Sequence, residues 1–527
     1  MSPRIGGHGY RVDSILGSAW RALASSEFRK AAGEFARAVS LDPARGDAWL
    51  GFAIALWRGG DRFAALGAAR KAVDMAPTLA DAHTVVGAIQ RQIGNLEGAT
   101  RALGAARELD PHNPKILRLL SDVYRRARRP ADALTAARRA LEIDPSSIES
   151  LTCLADATLA NEELADAETL YRVALAVDRR VLRATFGLGR VALARADWKE
   201  AQAFFERALD IAPNDADVRY NLALLHLRFG RYREGFSAYP AIMDTDSDGA
   251  RYYYHYGGVP RWNGEALNGR RLVIASDQGL GDHIMMARFL TTLPVHDPPI
   301  VVETPPALMA LFQCNFVNVQ FERFTHWRPA KALDVHVPIM QLPCLAGIAA
   351  ASDICGNAYL NADPLRVQDW MARLGGSRNV RHVGIVWHGN RMNTRERWRA
   401  APLRCWAPLA KVPGLLFHSL QLDATEAEKA DAPFPFSSTR AVSEDMNDTA
   451  ALMTALDAIV SVDTSTVHLA GALGRPTWLA NPLVSDFRWG IDGTESPWYS
   501  SVRIVRQTTC DDWEPVFQTI AAELSTR

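Results

Sequence analysis

The sequence of 527 residues has no excess of either charge: 59 Lys and Arg stand against 59 Asp and Glu. Without a net field, neither nucleic acid nor an anionic membrane is favoured as a partner. Long apolar runs are missing too. No stretch approaches the roughly 18 apolar residues that span a bilayer, and Met1 to Ser25 lacks the apolar centre of a signal peptide. A soluble, cytoplasmic protein with no membrane span is therefore expected. Cysteines are few and scattered: Cys153, Cys314, Cys344, Cys355, Cys405 and Cys510 form no C-x-x-C pair, which argues against zinc ribbons and redox sites and for free thiols in a reducing compartment. No P-loop occurs, so the ATPase reading is weak. What remains is length, enough at roughly 100 to 200 residues per domain for two to four domains.

What is present first is a period. Pro43, Pro77, Pro111, Pro145 and Pro213 fall on a 34-residue grid whose vacant slot holds Arg179. Small residues keep the same beat twice, as Ala31, Ala65, Ala99, Ala133, Ala167 and Ala201, and as Ala38, Ala72, Ala106, Ala140, Ala174 and Ala208. This period with two alanines and a terminal proline resembles the tetratricopeptide repeat, a helix-turn-helix unit whose small residues let helices pack closely. Gly60, Gly94 and Gly230 sit at the expected intra-repeat turn, and Phe35, Tyr171 and Phe205 in the large-residue slot of the second helix. Residues 12–245 read as an all-α solenoid of six repeats and a degraded seventh that caps the stack.

Such solenoids bind extended peptides or partner proteins on the face lined by the first helix of each repeat. By register that face presents Trp57, Arg58, Arg91, Gln92, Lys115, Arg118, Arg125 and Arg126. Trp57, Arg91, Lys115, Arg118, Arg125 and Arg126 are the candidate contacts to a protein acceptor. The alternative is that they are ordinary solvated helix charges, since Asp122 shares the face.

The grid stops near residue 245, and 246–270 reads as a linker or docking segment rich in Tyr, Gly, Pro and Trp. Across its start, Asp244 to Gly249 begins like a calcium loop, but the twelfth position is His255 where a bidentate Glu is needed. No metal site is expected. Apolar runs at 271–276, 300–302 and 335–337, then at 382–387, 415–420, 458–462 and 476–479, alternate with helical stretches. This pattern predicts parallel, doubly wound sheets. The expected architecture is two Rossmann-like lobes facing a cleft, the GT-B arrangement, at 271–375 and 376–527, in which the last helix, Trp513 to Leu524, can cross back to the first lobe.

Two turns carry candidate chemistry. Gln278-Gly279-Leu280-Gly281-Asp282-His283 follows a strand and opens a helix, where glycines allow close backbone approach and free N–H groups attract anions. It lacks the third glycine of a dinucleotide fingerprint, so NAD is not favoured. Asp463-Thr464-Ser465-Thr466-Val467-His468 also follows a strand and places hydroxyls and amides at a helix start, which suits a phosphate as well as a plain helix cap. An inverting sugar transfer needs one base for the acceptor hydroxyl and cations or amide dipoles for the leaving phosphate. Asp282 can serve as the base or be a mere cap; Arg397, Arg399 and the 464–468 helix start can hold the phosphate.

A second resemblance rests on QGLGD at 278–282, VWHGN at 386–390, SLQ at 419–421, DTAAL at 448–452, VDTSTVHLAGALGRPTW at 462–478, and DFRW and SPWY between 486 and 499. Over about residues 258 to 510 the chain is similar to family 9 glycosyltransferases, the lipopolysaccharide heptosyltransferase family, and more narrowly to bacterial proteins fusing tetratricopeptide repeats to such a domain, flagellin-modifying transferases among them. That resemblance implies an inverting, metal-independent GT-B enzyme with no cofactor and a nucleotide sugar as substrate. It implies Asp282 as catalytic base, and a donor site from Gly279, Gly281, Asn390, Arg397, Arg399, Gln421, Asp463, Thr464, Ser465, Thr466 and His468. Heptosyltransferases carry a lysine after the first strand of the second lobe, where this chain has Arg395, Arg397 and Arg399.

The resulting expectation is a cytoplasmic protein glycosyltransferase that moves a sugar from a nucleotide donor to Ser or Thr hydroxyls of an acceptor recruited by the repeats, with flagellin favoured by the resemblance. The rival is a repeat scaffold whose transferase-like lobes are inactive.

Overall fold

The computed structural model describes residues 6–245, 256, 259–276, 279–293, 295–323, 335–375, 380–391, 393, 396–437 and 445–526. Asp246 to Gly249 of the calcium-like run, Asp277 and Gln278 of the glycine turn, and Arg395 lie outside the described residues. The chain forms two compact units, Met1–Ala194 and Arg195–Arg527.

The first unit is helical throughout: α1 (Gly6–Ala24) with α2 (Phe28–Leu41), α3 (Gly46–Arg58) with α4 (Arg62–Met75), α5 (Ala80–Gln92) with α6 (Leu96–Leu109), α7 (Pro114–Arg126) with α8 (Pro130–Ile143), α9 (Ile148–Ala160) with α10 (Leu164–Val177), then α11 (Leu182–Ala194). The second unit opens with α12 (Trp198–Ile211), α13 (Ala216–Arg228) and α14 (Tyr232–Ala238), which continue the same alternation.

The 34-residue grid has a physical basis at each position. The caps of the second helices, Asp42, Ala76, Asp110, Asp144, Asp178 and Ala212, each donate a backbone N–H to the carbonyl of the second alanine series. The next residue is the grid proline, which cannot continue a helix, except at Arg179. All twelve grid alanines are 0% exposed, so any larger side chain there would force helices apart. Between the paired helices the chain passes through a left-handed residue at 26, 60, 94, 128, 162, 196 and 230. Gly60, Gly94 and Gly230 adopt it freely, while Ser26, Arg128, Glu162 and Ala196 do so at a cost of about 1 kcal/mol each. In the first unit the first helices of successive repeats touch one another, α3 with α5, α5 with α7 and α7 with α9, so they form the inner layer.

The rest of the second unit alternates strand and helix: β1 (Leu272–Ala275), α15 (Leu280–Ala287), β2 (Val301–Thr304), α16 (Pro306–Asn315), β3 (Gln320–Arg323), β4 (Val335–Pro338), α17 (Pro364–Leu374), β5 (Arg381–Val386), β6 (Leu415–Ser419), α18 (Met446–Ala455), β7 (Ala458–Val462), α19 (Ser465–Ala472), β8 (Thr477–Asn481), β9 (Val502–Arg506) and α20 (Glu514–Ser525), with one-turn helices between. Two sheets result, ordered β3-β2-β1-β4 and β6-β5-β7-β8-β9, and every pairing is parallel. β3 and β9 extend the strand pattern read from sequence, each at a sheet edge.

One core runs from α14 through the first sheet: Tyr232, Phe236 and Tyr239 pack with β1, with Met285, Met286 and Leu290, and with Trp498. A second covers one face of the second sheet, where Trp406, Trp478, Trp513 and Phe517 are buried together. The last helix belongs here. Rather than crossing back to the first lobe, α20 lies on β8 and β9, with the Phe517 ring 4.3 Å from that of Trp406, because its apolar face of Val516, Phe517, Ile520 and Leu524 completes this tryptophan-rich layer.

Candidate functional site

In each sheet the strand order reverses once. In the first the reversal lies between β1 and β4; in the second it lies between β5 and β7. Loops leaving the carboxyl ends of strands diverge at such a point and leave a crevice, the usual ligand position in open parallel sheets. The glycine turn leaves β1, the His388-Gly389-Asn390 loop leaves β5, and Asp463-Thr464 leaves β7. The motifs singled out in the sequence therefore stand at both reversals.

The helices that follow two of these loops, α15 and α19, pack on each other. Gly281 makes this possible: a Cβ there would stand 2.7 Å from His468 Cδ2. His468 is buried, with Nδ1 3.0 Å from the Tyr499 hydroxyl and its ring stacked 5.2 Å from Trp489. Burial and the charge of Arg488 keep it neutral, well below the usual histidine range. His283, in α15, is also buried, bonding the Gly279 carbonyl through Nδ1 at 3.0 Å and Ser276 Oγ through Nε2 at 2.9 Å, which fastens the glycine turn.

Asp282 does not face open solvent. Its carboxylate pairs with Arg488, whose other terminal nitrogen donates to Asp486 Oδ1 at 2.5 Å. All three side chains are nearly buried, so Arg488 is held charged between two carboxylates. Asp463 lies within their field: burial and the Asp486 carboxylate raise its pKa, against the pull of Arg399 and Arg488. Arg399 also donates from Nε to Glu396 Oε2 at 2.6 Å, while Glu396 Oε1 accepts the Gly389 N–H at 2.6 Å. A carboxylate thus ties Arg399 to the loop after β5, near the loop after β7.

The remaining donor candidates are placed as follows. Thr464 is the α19 cap, its hydroxyl accepting from the Thr466 N–H at 3.2 Å and lying 3.2 Å from Ser461 Oγ. Ser465 and Thr466 are half-buried at the same helix start. Gln421 is buried and holds the β5 loop, accepting the His388 N–H at 3.3 Å and donating to Asp423 Oδ1 at 2.8 Å. Gly279 caps α15, Asn390 is exposed, and Arg397 is exposed with its guanidinium 4.4 Å from the ring of its neighbour Trp398. The structure brings Asp282, Asp463, Arg399, Gly281 and His468 into one neighbourhood. It adds Arg488, Asp486, Glu396 and His388; the DFRW run held the first two and the VWHGN run the last, while Glu396 lay in no motif singled out. Among the described residues, no three His, Cys, Asp or Glu side chains are grouped to hold a metal ion.

In the first unit the arginines of the inner face are neither free nor simply solvated. Asp122 accepts from Arg91 at 2.6 Å and Arg125 at 2.5 Å, with Arg126 at 3.7 Å. Burial alone would raise this carboxyl, yet Arg125, Arg91 and Arg126 hold it far below the ordinary carboxylate range. One repeat on, Asp156 is buried against Arg183 at 2.7 Å, Arg190 at 3.0 Å and the Tyr171 hydroxyl, and it too is held low. The two aspartates are 34 residues apart, the signal by which the second could have been found. Arg118 donates to Ser150 Oγ at 3.2 Å, Trp57 Nε1 donates to Gln92 Oε1 at 2.6 Å, and Lys115 is exposed.

The tetratricopeptide repeat family matches residues 16–80, 89–148 and 154–216, and a second description of that repeat matches 192–252. Protein FlbA of Caulobacter vibrioides is 29% identical over 351 residues, 59% of this chain and 56% of FlbA, so the chain spans little more than half of that relative. Among solved structures, Pseudomonas aeruginosa pilF matches with 19% identity, 39% of this chain, 94% of that one and a TM-score of 0.34. A thermophilic TPR protein of Thermus thermophilus, TTC0263, matches with 21% identity, 35% of this chain, 100% of that one and a TM-score of 0.32. The chain is thus a tetratricopeptide solenoid followed by a region of parallel sheets and helices, and repeats of this kind suggest protein partners. Among the described residues, no helix is long and apolar enough to cross a membrane.

Proposed function

We propose that the chain is a cytoplasmic, inverting GT-B glycosyltransferase that transfers a sugar from a nucleotide donor to Ser or Thr hydroxyls of a protein held by its repeats. The observation that carries this reading is the coincidence of the family 9-like motifs with the loops at both strand-order reversals. In the proposed reaction the Asp282 carboxylate takes the proton of the acceptor hydroxyl, the acceptor oxygen bonds to the anomeric carbon, and the bond from that carbon to the nucleotide phosphate breaks. Arg488 holds the Asp282 carboxylate in an ion pair and has to yield it as the acceptor arrives. Arg399 and the N–H groups opening α19 balance the charge on the departing phosphate. Flagellin is the favoured acceptor, on the resemblance to flagellin-modifying transferases.

The test has two parts. Melting of the full chain is followed with CMP, UDP, GDP and ADP; a nucleotide at roughly 100 times its Kd should add about 2.7 kcal/mol of stability. Thr466→Trp should abolish that shift in a folded protein. Asp282→Asn should keep nucleotide binding while transfer to acceptor falls on the order of 100-fold. If no nucleotide raises the melting temperature, the chain is a scaffold and the transferase reading fails.

A further inference from the structure

The inner face of the repeats carries more cation than its own carboxylates neutralise. Over α5, α7, α9 and α11 the positions equivalent by the 34-residue register to Lys115, Arg118, Asp122, Arg125 and Arg126 hold seven cations (Arg91, Lys115, Arg118, Arg125, Arg126, Arg183, Arg190) and four carboxylates (Asp81, Asp122, Glu149, Asp156). Two of those carboxylates are spent in orienting arginines. Asp122 gathers Arg91, Arg125 and Arg126 from two successive first helices, and Asp156 gathers Arg183 and Arg190 from the next. The attraction of Asp156 for Arg125 joins the two groups into one band. Five guanidinium groups are thereby fixed by two carboxylates, and a guanidinium held in place loses less entropy when it meets a second anion.

We infer that this band is a docking surface for an extended acidic peptide segment, one that offers Asp or Glu side chains in succession to the first helices of repeats three to six. The spacing agrees with such a ligand. Packed helix axes are roughly 8–10 Å apart, and an extended chain covers that distance in about three residues, so a carboxylate near every third position meets a new helix. The zero net charge of the whole chain argues against a nucleic acid, whose binding draws on a broad positive field. The inference rests on the proposed function only in taking the segment to be part of the acceptor; the docking itself needs no transferase.

The experiment uses the full chain and no sugar donor, so its outcome is separable from that of the transfer assay. Fluorescein-labelled peptides of roughly sixteen residues, ~50 Å when extended, carry Glu at every third position or, as matched controls, Gln or Lys there. Fluorescence anisotropy should show the Glu peptide bound at least ~10-fold more tightly than the Gln peptide, with affinity falling as salt rises, and the Lys peptide unbound. Lys115→Gln with Arg118→Gln should weaken the Glu peptide on the order of 10-fold, since neither residue anchors Asp122 or Asp156. Arg118→Lys alone should retain most binding, which guards against mistaking a folding defect for a lost contact. Arg107→Gln with Arg138→Gln removes the same charge from exposed positions on the second helices and should change nothing. Equal binding of Glu and Gln peptides, equal losses from the two double variants, or binding of phosphatidylserine vesicles in place of any peptide would overturn the inference.

Discussion

Two buried charge clusters, one in each unit, follow opposite arithmetic. On the inner face of the repeats arginines outnumber carboxylates, and they hold both Asp122 and Asp156 below the ordinary carboxylate range. In the crevice of the second unit, Asp282, Asp463 and Asp486 share Arg488 and Arg399, and the surplus carboxylate, Asp463, is pushed toward its protonated form. A cluster with spare cations holds its shape and offers charge to a partner. A cluster with a spare carboxylate raises that carboxyl's affinity for a proton, the condition for acid or base chemistry.

The contrast is broken most severely at Arg488. Arg488→Met leaves Asp282 and Asp486 nearly buried without their shared cation, and chemical denaturation should register a loss of about 3–5 kcal/mol. Asp122→Asn attacks the other cluster, stranding three arginines; the expected loss at neutral pH is about 2–3 kcal/mol. Because the folded pKa of Asp122 is depressed, its contribution is complete above the unfolded carboxylate value and disappears as pH falls through the folded one. Variant and parent should therefore converge in acid, from roughly pH 4 downward. Asp463→Asn should do the reverse. Its folded pKa is raised, so the ionised group costs stability once pH exceeds the unfolded value. The variant should be more stable than the parent at pH 7 by on the order of 1 kcal/mol, with the advantage gone below about pH 4. Smallest is the turn grid, where Arg128→Gly or Glu162→Gly relieves a left-handed strain and should raise stability by up to about 1 kcal/mol each in thermal unfolding.

Repetition made the first unit legible. Pro43 and its successors mark helix ends, and each grid alanine sits where a helix contact excludes anything larger. In the second unit β1, β5 and β7 were readable because central parallel strands are buried on both faces and appear as unbroken apolar runs. β3 was not: Gln320 to Arg323 is an exposed edge strand whose only apolar residue is Phe321. β9, Val502-Arg503-Ile504-Val505-Arg506, is an apolar run broken by Arg503 and ended by Arg506, too short a signal beside the preceding SPWY run. The site divides in the same way. Asp282, Thr464 and Arg399 announce themselves because each follows a strand at a short helix: Asp282 in the first turn of α15, Thr464 as the cap of α19, and Arg399 at the end of a one-turn helix after β5. Arg488 meets Asp282 across 206 residues of chain, and no local pattern encodes a contact of that length.

The boundary between the units has a consequence for dissecting the chain. The array of repeats does not end where the second unit begins: α12, α13 and α14 lie after Arg195. Tyr232, Phe236 and Tyr239 are core residues of the first lobe, the Tyr232 N–H donates to the Ala349 carbonyl at 3.2 Å, and Arg228 donates to the Ser485 carbonyl. A scissor placed at residue 245, where the sequence period fades, would remove these side chains and lay bare the apolar wall they cover. A fragment opening at Arg195 keeps them, so the severable joint of this polypeptide lies inside its sixth repeat, and a gene encoding either half alone has to be cut there.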